Sequence, residues 1–126
     1  MRLLVDSHVA LWWLDDHPSL GPICRRHIES ADLVVFSAVT PWELGIKREL
    51  GKLDFPVGLT RALTDSGFSE LAISAVHAER AATLPAHHRD PFDRMLVAQA
   101  QIEELVLVSA DRSLQAYDVE LLDALA

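Results

Sequence analysis

Residues 91–109, PFDRMLVAQAQIEELVLVS, contain the clearest helix and the clearest strand of the chain. Pro91 follows Asp90 and suits the first position of a helix, and apolar residues then recur at helical spacing up to Glu104. The run LVLVS at 105–109 is rich in β-branched residues and lacks the alternation of a half-exposed strand. A helix that leads directly into such a strand predicts one unit of a parallel α/β sheet.

The same alternation of elements extends over the rest of the chain. Besides this unit, we predict strands over 2–5, 33–36, 70–73 and 119–122, and helices over 9–14, 23–31, 40–50, 58–66 and 74–84. Strands separated by helices form βαβ units, and strands that are apolar throughout are covered on both faces. The sequence therefore predicts a three-layer α/β/α sandwich in which residues 1–126 form a single domain of ordinary size.

The composition is that of a globular protein with an excess of acidic residues. Half of the 126 residues are hydrophobic, 24% are charged, and the formal net charge is -8. These values predict a packed core and exclude a disordered chain. The negative charge argues against a nucleic-acid binder that relies on Lys and Arg. The alternative is a site whose acids hold cations that meet phosphate groups, and composition alone leaves both possibilities open.

Two features concern the cellular compartment. The apolar runs are shorter than the about 20 residues that span a bilayer, and the N-terminal MRLLVDSH lacks the apolar stretch of a signal peptide. Cys24 is the only cysteine, so no internal disulfide can form. We therefore expect a cytoplasmic protein without membrane attachment.

Four acidic residues are predicted to lie at one edge of the sheet. Asp6 directly follows the first strand, and Asp111 lies two residues beyond the strand at 105–109. Glu43 and Asp93 are predicted in the first turns of helices that start at this same edge. Because the carboxyl ends of parallel strands meet there, and ligands of such sheets bind there, we expect the four side chains to form one site.

Each acid also has a structural explanation as a helix cap. The segment TPWE at 40–43 fits a capping box with Thr40 as N-cap and Glu43 reaching back, and Asp90 suits the N-cap of the helix that starts at Pro91. Acids at the other positions suit the starts of helices equally well. Capping does not require all the acids to lie at one edge of one sheet, however, so together they indicate a functional site.

Clustered carboxylates repel one another unless they are protonated or bind cations. Oxygen ligands suit Mg²⁺ and Mn²⁺, and two such ions can activate a water and stabilise the leaving oxygen in phosphodiester hydrolysis. Under this hypothesis Asp6, Asp93 and Asp111 bind the metal directly, and Glu43 binds it or orients the attacking water. The metal then supplies the positive charge that the composition lacks.

Four segments carry a resemblance to a known family over nearly the whole chain. They are LLVDSHVALWWL (3–14), SAVTPWELGIKRELGKL (37–53), LPAHHRDPFDRMLVAQA (84–100) and LVSADRSLQAYDVELL (107–122). Their order and spacing resemble the PIN-domain ribonucleases, in particular the VapC-type toxins of type II toxin–antitoxin systems. TPWELGIK and DPFDRMLVAQA are the specific signals. The departures are slight: Ser7 stands where Thr is frequent, and the C-terminal DALA is plain, and neither affects the acids.

This resemblance implies a five-stranded parallel sheet, metal-dependent cleavage of transfer or ribosomal RNA, homodimers and a bound antitoxin protein. The four acids of the family fall on Asp6, Glu43, Asp93 and Asp111. The third falls on Asp93 rather than Asp90 because Asp93 precedes the apolar run MLVAQA. Ser109 matches the Ser or Thr that often stands two residues before the fourth acid. For Asp90, a role beside the metal remains open in addition to capping.

Several basic residues flank the acids in sequence: Arg89, Arg94, Arg112, Lys47, Arg48 and Lys52. The three arginines either form surface ion pairs or contact substrate phosphates. The lysines and Arg48 either form an RNA path or suit the C-terminal end of a helix. His87 and His88 are discounted as zinc ligands, because adjacent histidines point apart and no partner stands at ligand spacing. The two-metal chemistry itself requires no histidine.

Trp12 and Trp13 make the end of the first helix strongly apolar. Two adjacent residues cannot both face one core stripe, so we predict that one is buried and the other is an exposed anchor for an antitoxin or a second subunit. Ile46 and Leu50 are predicted to extend this partner surface.

Three other functions compete with an endoribonuclease toxin. A PIN nuclease of RNA processing would act without an antitoxin, and a non-catalytic PIN-like module would usually lack one or more of the acids. A phosphatase with an aspartyl nucleophile would require a second Asp two residues after Asp6, where this chain has His8.

Overall fold

The computed structural model describes residues 1–55 and 57–126. The strands are Arg2–Val5 (β1), Leu33–Ser37 (β2), Ser69–Leu71 (β3), Val106–Ser109 (β4) and Leu121–Asp123 (β5). The α-helices are Ser7–Leu14 (α1), Pro22–Ser30 (α2), Val39–Glu49 (α3), Leu59–Asp65 (α4), Ala75–Thr83 (α5) and Pro91–Glu103 (α6), and a short 3-10 helix covers Arg112–Ala116. Every element predicted from the sequence is present, with its ends shifted by two residues at most.

All five strands are parallel, in the order β3-β2-β1-β4-β5. The central strand β1 pairs through Val5 with Phe36 of β2 and with Val108 of β4. The order of the strands reverses between β1 and β4, because the chain adds β2 and β3 on one side and β4 and β5 on the other. A crevice opens at such a point beyond the carboxyl ends of the strands.

Both faces of the sheet are covered, as the apolar strands predict. Leu3 and Val5 of β1 pack in a core with α1, α2 and α4, and Leu4 packs in a second core with α5 and α6. All three side chains are fully buried. The three-layer sandwich is therefore confirmed. Within the described ranges, no helix combines the length and the apolar character needed to cross a membrane.

Helix α3 begins differently from the prediction. It starts at Val39, whose N–H donates to Ser37 Oγ at 3.0 Å, and no side chain caps it from Ala38. Thr40 is fully buried inside the helix, with its Oγ1 3.2 Å from Ser7 Oγ. The predicted capping box is therefore wrong, because burial against α1 outweighs the local capping pattern. Glu43 lies in the second turn of α3 rather than the first, and it is available to the site.

Helix α2 starts at a close approach between two backbone segments. A Cβ on Gly21 would lie 1.8 Å from the carbonyl oxygen of Ala126, which accepts the N–H groups of Ile23 and Cys24 at 3.1 Å each. We expect Gly21→Ala to lower the free energy of unfolding by about 1–3 kcal/mol, since Ala126 must move and the first turn of α2 loses its acceptor.

Urea unfolding measures this effect, and Gly45→Ala is the matched control. A Cβ on Gly45 would meet nothing within 4 Å, and Ala favours the interior of a helix such as α3. Equal stability of Gly21→Ala and wild type would contradict the importance of this contact.

Candidate active site

A cleft of about 360 Å³ opens at the carboxyl edge of the sheet, where β1 and β4 end. Its lining consists of Asp6, Ser7, His8, Glu43, Lys47, Asp90, Asp93, Ala110 and Asp111. The structure thus brings together the four acids that the sequence places at this edge, and adds Asp90. These residues come from four separate parts of the chain, so the fold and not the local sequence assembles the cleft.

Asp6 has a structural contact in addition to its place in the cleft. Its Oδ1 accepts the N–H of Val9 at 2.8 Å and caps α1, as predicted, and its side chain is almost fully buried. Burial raises the pKa of the Asp6 carboxyl, against the opposing effect of a hydrogen bond from Ser109. Ser109 Oγ also accepts the N–H of Asp111 at 3.0 Å. This buried serine therefore contacts two of the four acidic residues.

Glu43 is held by donors on both of its carboxylate oxygens. Ser7 Oγ donates to Oε1 at 2.6 Å, and Lys47 Nζ donates to Oε2 at 2.9 Å. The Glu43 side chain is only 5% exposed, so its orientation is fixed. Each carboxylate oxygen has a second lone pair, which leaves Glu43 able to accept from a water or bind a cation.

Asp93 shows the strongest sign of crowded negative charge. Burial raises the pKa of its carboxyl to about 7, with further contributions from Asp90, Glu43 and Asp6 and an opposing one from His88. Asp90 is the N-cap of α6, as predicted, because its Oδ1 accepts the N–H groups of Phe92 and Asp93. A divalent cation in the cleft would relieve this repulsion, and carboxylate oxygens are the ligands that Mg²⁺ and Mn²⁺ prefer.

The pKa of Asp111 is shifted in the opposite direction from that of Asp93. Its Oδ1 accepts both the N–H and the hydroxyl of Ser113, at 3.0 and 2.6 Å, and so caps the 3-10 helix as predicted. The Ser113 hydrogen bonds, together with His88, hold the pKa of the Asp111 carboxyl below its usual value. Asp111 therefore stays ionised under conditions in which Asp93 can hold a proton.

His88 is the member of this cluster that the sequence reasoning missed. Its Nε2 lies 3.0 Å from Asp111 Oδ2 and 3.5 Å from Asp93 Oδ2. His87 points away, with its ring edge against Tyr117 at 5.1 Å between centroids, so the two histidines do point apart as expected. His88 lies two residues before the Asp90 cap, and this spacing in the sequence indicates a position near the cleft. The direction of its ring depends on the loop between α5 and α6, which the sequence does not specify.

The arginines do not line the cleft. Arg94 instead donates to the Tyr117 hydroxyl and to the carbonyls of Ala81, Leu84, Pro85 and His88. Arg89 and Arg112 are exposed outside the cleft. Lys47 is the one lysine or arginine among the lining residues of the described chain. Arg94 therefore has a structural role in the loop between α5 and α6, and its contact with substrate phosphate stays a prediction.

The tryptophans of α1 also differ from the prediction. Trp12 stacks on His17 with ring centroids 5.7 Å apart, and Trp13 packs against Phe68 at 5.8 Å. Both are half-buried against the core, so the predicted division into one buried and one exposed tryptophan is wrong. The exposed apolar residues of α3 and its C-cap are Trp42, Ile46 and Leu50, with 62%, 38% and 64% of their surface accessible.

Fold and site together define an α/β domain with a carboxylate-lined cleft at the point where the strand order reverses. The PIN domain family model matches residues 3–120. The chain therefore belongs to the PIN-domain family, which confirms the resemblance found in the sequence.

Individual relatives agree with this assignment. The chain is 29% identical over 118 residues to Ribonuclease VapC22 of Mycobacterium tuberculosis, covering 91% of both chains. In structure it is similar to VapBC2 from Rickettsia felis bound to a promoter DNA fragment, with a TM-score of 0.73, 14% identity and 98% of each chain covered. It is also similar to DNA-bound VapBC from Salmonella typhimurium, with a TM-score of 0.68, 17% identity and 98% of each chain covered. At these identities the structural likeness concerns the fold.

Proposed function

We propose that the protein is a divalent-metal-dependent endoribonuclease that acts as the toxin of a toxin–antitoxin pair. The observation that carries this proposal is the cleft itself, in which four acids from separate elements meet and the pKa of Asp93 is raised to about 7. Helix caps alone do not require that convergence. The name of the curated relative, a ribonuclease, supports the same activity for this chain.

The cofactor is Mg²⁺ or Mn²⁺. Asp6, Asp93 and Asp111 would hold it, and Glu43, fixed by Ser7 and Lys47, would bind it or orient the attacking water. When bound, such an ion supplies an activated water and stabilises the leaving oxygen of a phosphodiester. Ser109 positions Asp6 and Asp111 for this task through its two hydrogen bonds.

The charge of the cleft makes RNA binding depend on the metal. Lys47 is already paired with Glu43, and the remaining lining residues include four further carboxylates. A phosphate group that enters this cleft without a cation meets repulsion rather than attraction. We therefore expect RNA affinity, and not only cleavage, to fall when the metal is removed.

The proposed toxin function includes protein partners. The structural neighbours are solved as VapBC complexes, and for this chain we propose a cognate antitoxin and a homodimer in the cytoplasm. The proposed partner surface consists of Trp42, Ile46 and Leu50 on α3 and its C-cap. The half-buried Trp12 and Trp13 offer less area to a partner. The substrate is RNA, with transfer RNA and a ribosomal RNA loop as the candidates.

Asp6→Asn tests the proposed activity. Purified antitoxin-free protein is incubated with total cellular RNA in Mg²⁺ or Mn²⁺, with an EDTA control. We expect discrete fragments from wild type and a loss of about 10²-fold or more in Asp6→Asn, since one charged group aimed at the reacting centre is removed. Asn keeps an oxygen that can cap α1, so the fold is retained.

Asp32→Asn is the matched control, because Asp32 is exposed and pairs with the N-terminal amine far from the cleft. Full activity of Asp6→Asn, or cleavage in EDTA, would contradict the proposed site. Absence of cleavage by folded wild type over a range of metals would favour a non-catalytic binding module. Cleavage without a short neighbouring reading frame for an antitoxin would favour a nuclease of RNA processing.

A further inference from the structure

The loop that carries His88 is fixed at several points. The backbone N–H of His88 donates to the Tyr117 hydroxyl at 2.9 Å, and its carbonyl accepts from Arg94 Nη1 at 3.3 Å. The Tyr117 hydroxyl itself donates to the Pro85 carbonyl at 2.9 Å. These contacts hold the backbone of His88 beside α6, and its half-buried ring is directed at the acids of the cleft.

The two ring nitrogens of His88 have different partners. Nδ1 lies 3.2 Å from the backbone nitrogen of Asp90, whose N–H can only donate, so Nδ1 must accept. In a neutral imidazole the proton is then on Nε2. Nε2 faces Asp111 Oδ2 at 3.0 Å and Asp93 Oδ2 at 3.5 Å, both of which accept when ionised. Both edges of the ring therefore specify the same tautomer.

A metal ligand at Nε2 would require the opposite tautomer. The proton would lie on Nδ1 and face the Asp90 N–H, which would place donor against donor. That N–H cannot easily turn away, because Asp90 Oδ1 is bound to the first turn of α6 through Phe92 and Asp93. The distances among His88, Asp93 and Asp111 are those of a possible three-ligand site, but the Nδ1 partner argues against His88 as a ligand.

We propose that His88 is a positioning residue whose Nε2–H holds the Asp111 carboxylate for the cation, beside that of Asp93, without binding the cation itself. This inference rests on the proposed metal site and deepens it. Asp111 is then fixed on both oxygens, by Ser113 at Oδ1 and by His88 at Oδ2. Donors that orient metal-binding carboxylates in this way contribute about 10–100-fold to metal affinity.

The tautomer is directly measurable on the wild-type protein. Long-range ¹H–¹⁵N correlation spectra distinguish a protonated ring nitrogen from an unprotonated one. The signal lost in His88→Gln identifies His88 among the six histidines. We expect the proton on Nε2 both without metal and with saturating Mg²⁺. A proton on Nδ1 in the presence of Mg²⁺ would overturn the proposal and make His88 a ligand.

Mn²⁺ affinity, measured by calorimetry, supplies the second readout. We expect His88→Ala to weaken binding by about 10–100-fold, and His88→Gln, which keeps a side-chain N–H at similar reach, to recover most of the loss. His87→Ala is the matched control and should bind as wild type, because His87 faces away from the acids. Wild-type affinity in His88→Ala would contradict the positioning role.

Neither measurement uses RNA, so the two proposals can fail separately. An Nε2–H tautomer in a protein that binds Mn²⁺ but cuts no RNA would refute the proposed activity alone. An Nδ1–H tautomer in an active nuclease would refute the role of His88 alone.

Discussion

Asp93→Asn is expected to stabilise the metal-free protein at pH 8 and to remove the added stability that Mg²⁺ or Mn²⁺ gives the wild type. The pKa of Asp93 is raised to about 7, chiefly by burial and then by the charge of Asp90. At pH 8 the wild type therefore carries a charge that its surroundings disfavour. Asparagine has the same shape without that charge, but it is a far weaker ligand for a divalent cation.

The pH dependence has a definite sign. The folded-state pKa of Asp93 lies above the usual aspartate value of 3.8, so the folded protein holds the proton more tightly than the unfolded chain does. The free energy of unfolding therefore falls as pH rises from about 4 to about 7, and the full penalty, roughly 2–4 kcal/mol, is present above that range. The gain from Asp93→Asn should be near that size at pH 8 and close to zero near pH 4.

Urea unfolding in EDTA at several pH values measures this gain, and thermal shifts with added Mg²⁺ measure the metal response. Asp118→Asn is the charge-matched control, because Asp118 is exposed and outside the cleft. An Asp93→Asn variant less stable than wild type at pH 8 would show that the Asp93 charge is not disfavoured. A variant that Mg²⁺ stabilises as much as wild type would show that Asp93 is not a metal ligand.

The fold and the meeting of the acids were predictable because they depend on order and periodicity. Apolar strands that alternate with helices require a parallel sheet, and residues that follow strands or begin helices must then share its carboxyl edge. Asp6, Asp93 and Asp111 obey this rule whatever the details of their neighbours. Asp6 and Asp111 also cap helices, so capping and a place in the cleft are compatible rather than competing explanations.

The errors concern contacts that a residue makes outside its own helix. Thr40 fits an N-cap locally, but it lies within α3, where its hydroxyl contacts Ser7 of α1. Trp12 and Trp13 cannot share one stripe of a helix, yet α1 has neighbours on more than one side, and His17 and Phe68 half-cover them. Sequence spacing gives the direction of a side chain along its own helix, and it does not show how many elements surround that helix.

Arg94→Ala is expected to lower the free energy of unfolding by about 3 kcal/mol, a large effect for one half-buried arginine. The guanidinium donates to the carbonyls of Ala81, Leu84, Pro85 and His88 at the end of α5 and in the loop that follows. Those acceptors would lose a charged donor, and no other side chain can replace a planar fork of several N–H groups. Arg94→Lys should therefore recover little of the loss.

The measurement is urea unfolding of Arg94→Ala beside Arg89→Ala, which removes the same charge from an exposed position in the same loop. Because this loop carries His88 and ends at the Asp90 cap, we also expect weaker Mn²⁺ binding in Arg94→Ala although Arg94 touches none of the four acids. If Arg94→Ala instead had wild-type stability and metal affinity but bound RNA poorly, Arg94 would contact phosphate, as the sequence alone allowed. The structure favours the first outcome, since Nη1 and Nη2 of Arg94 both already donate to backbone carbonyls within the protein.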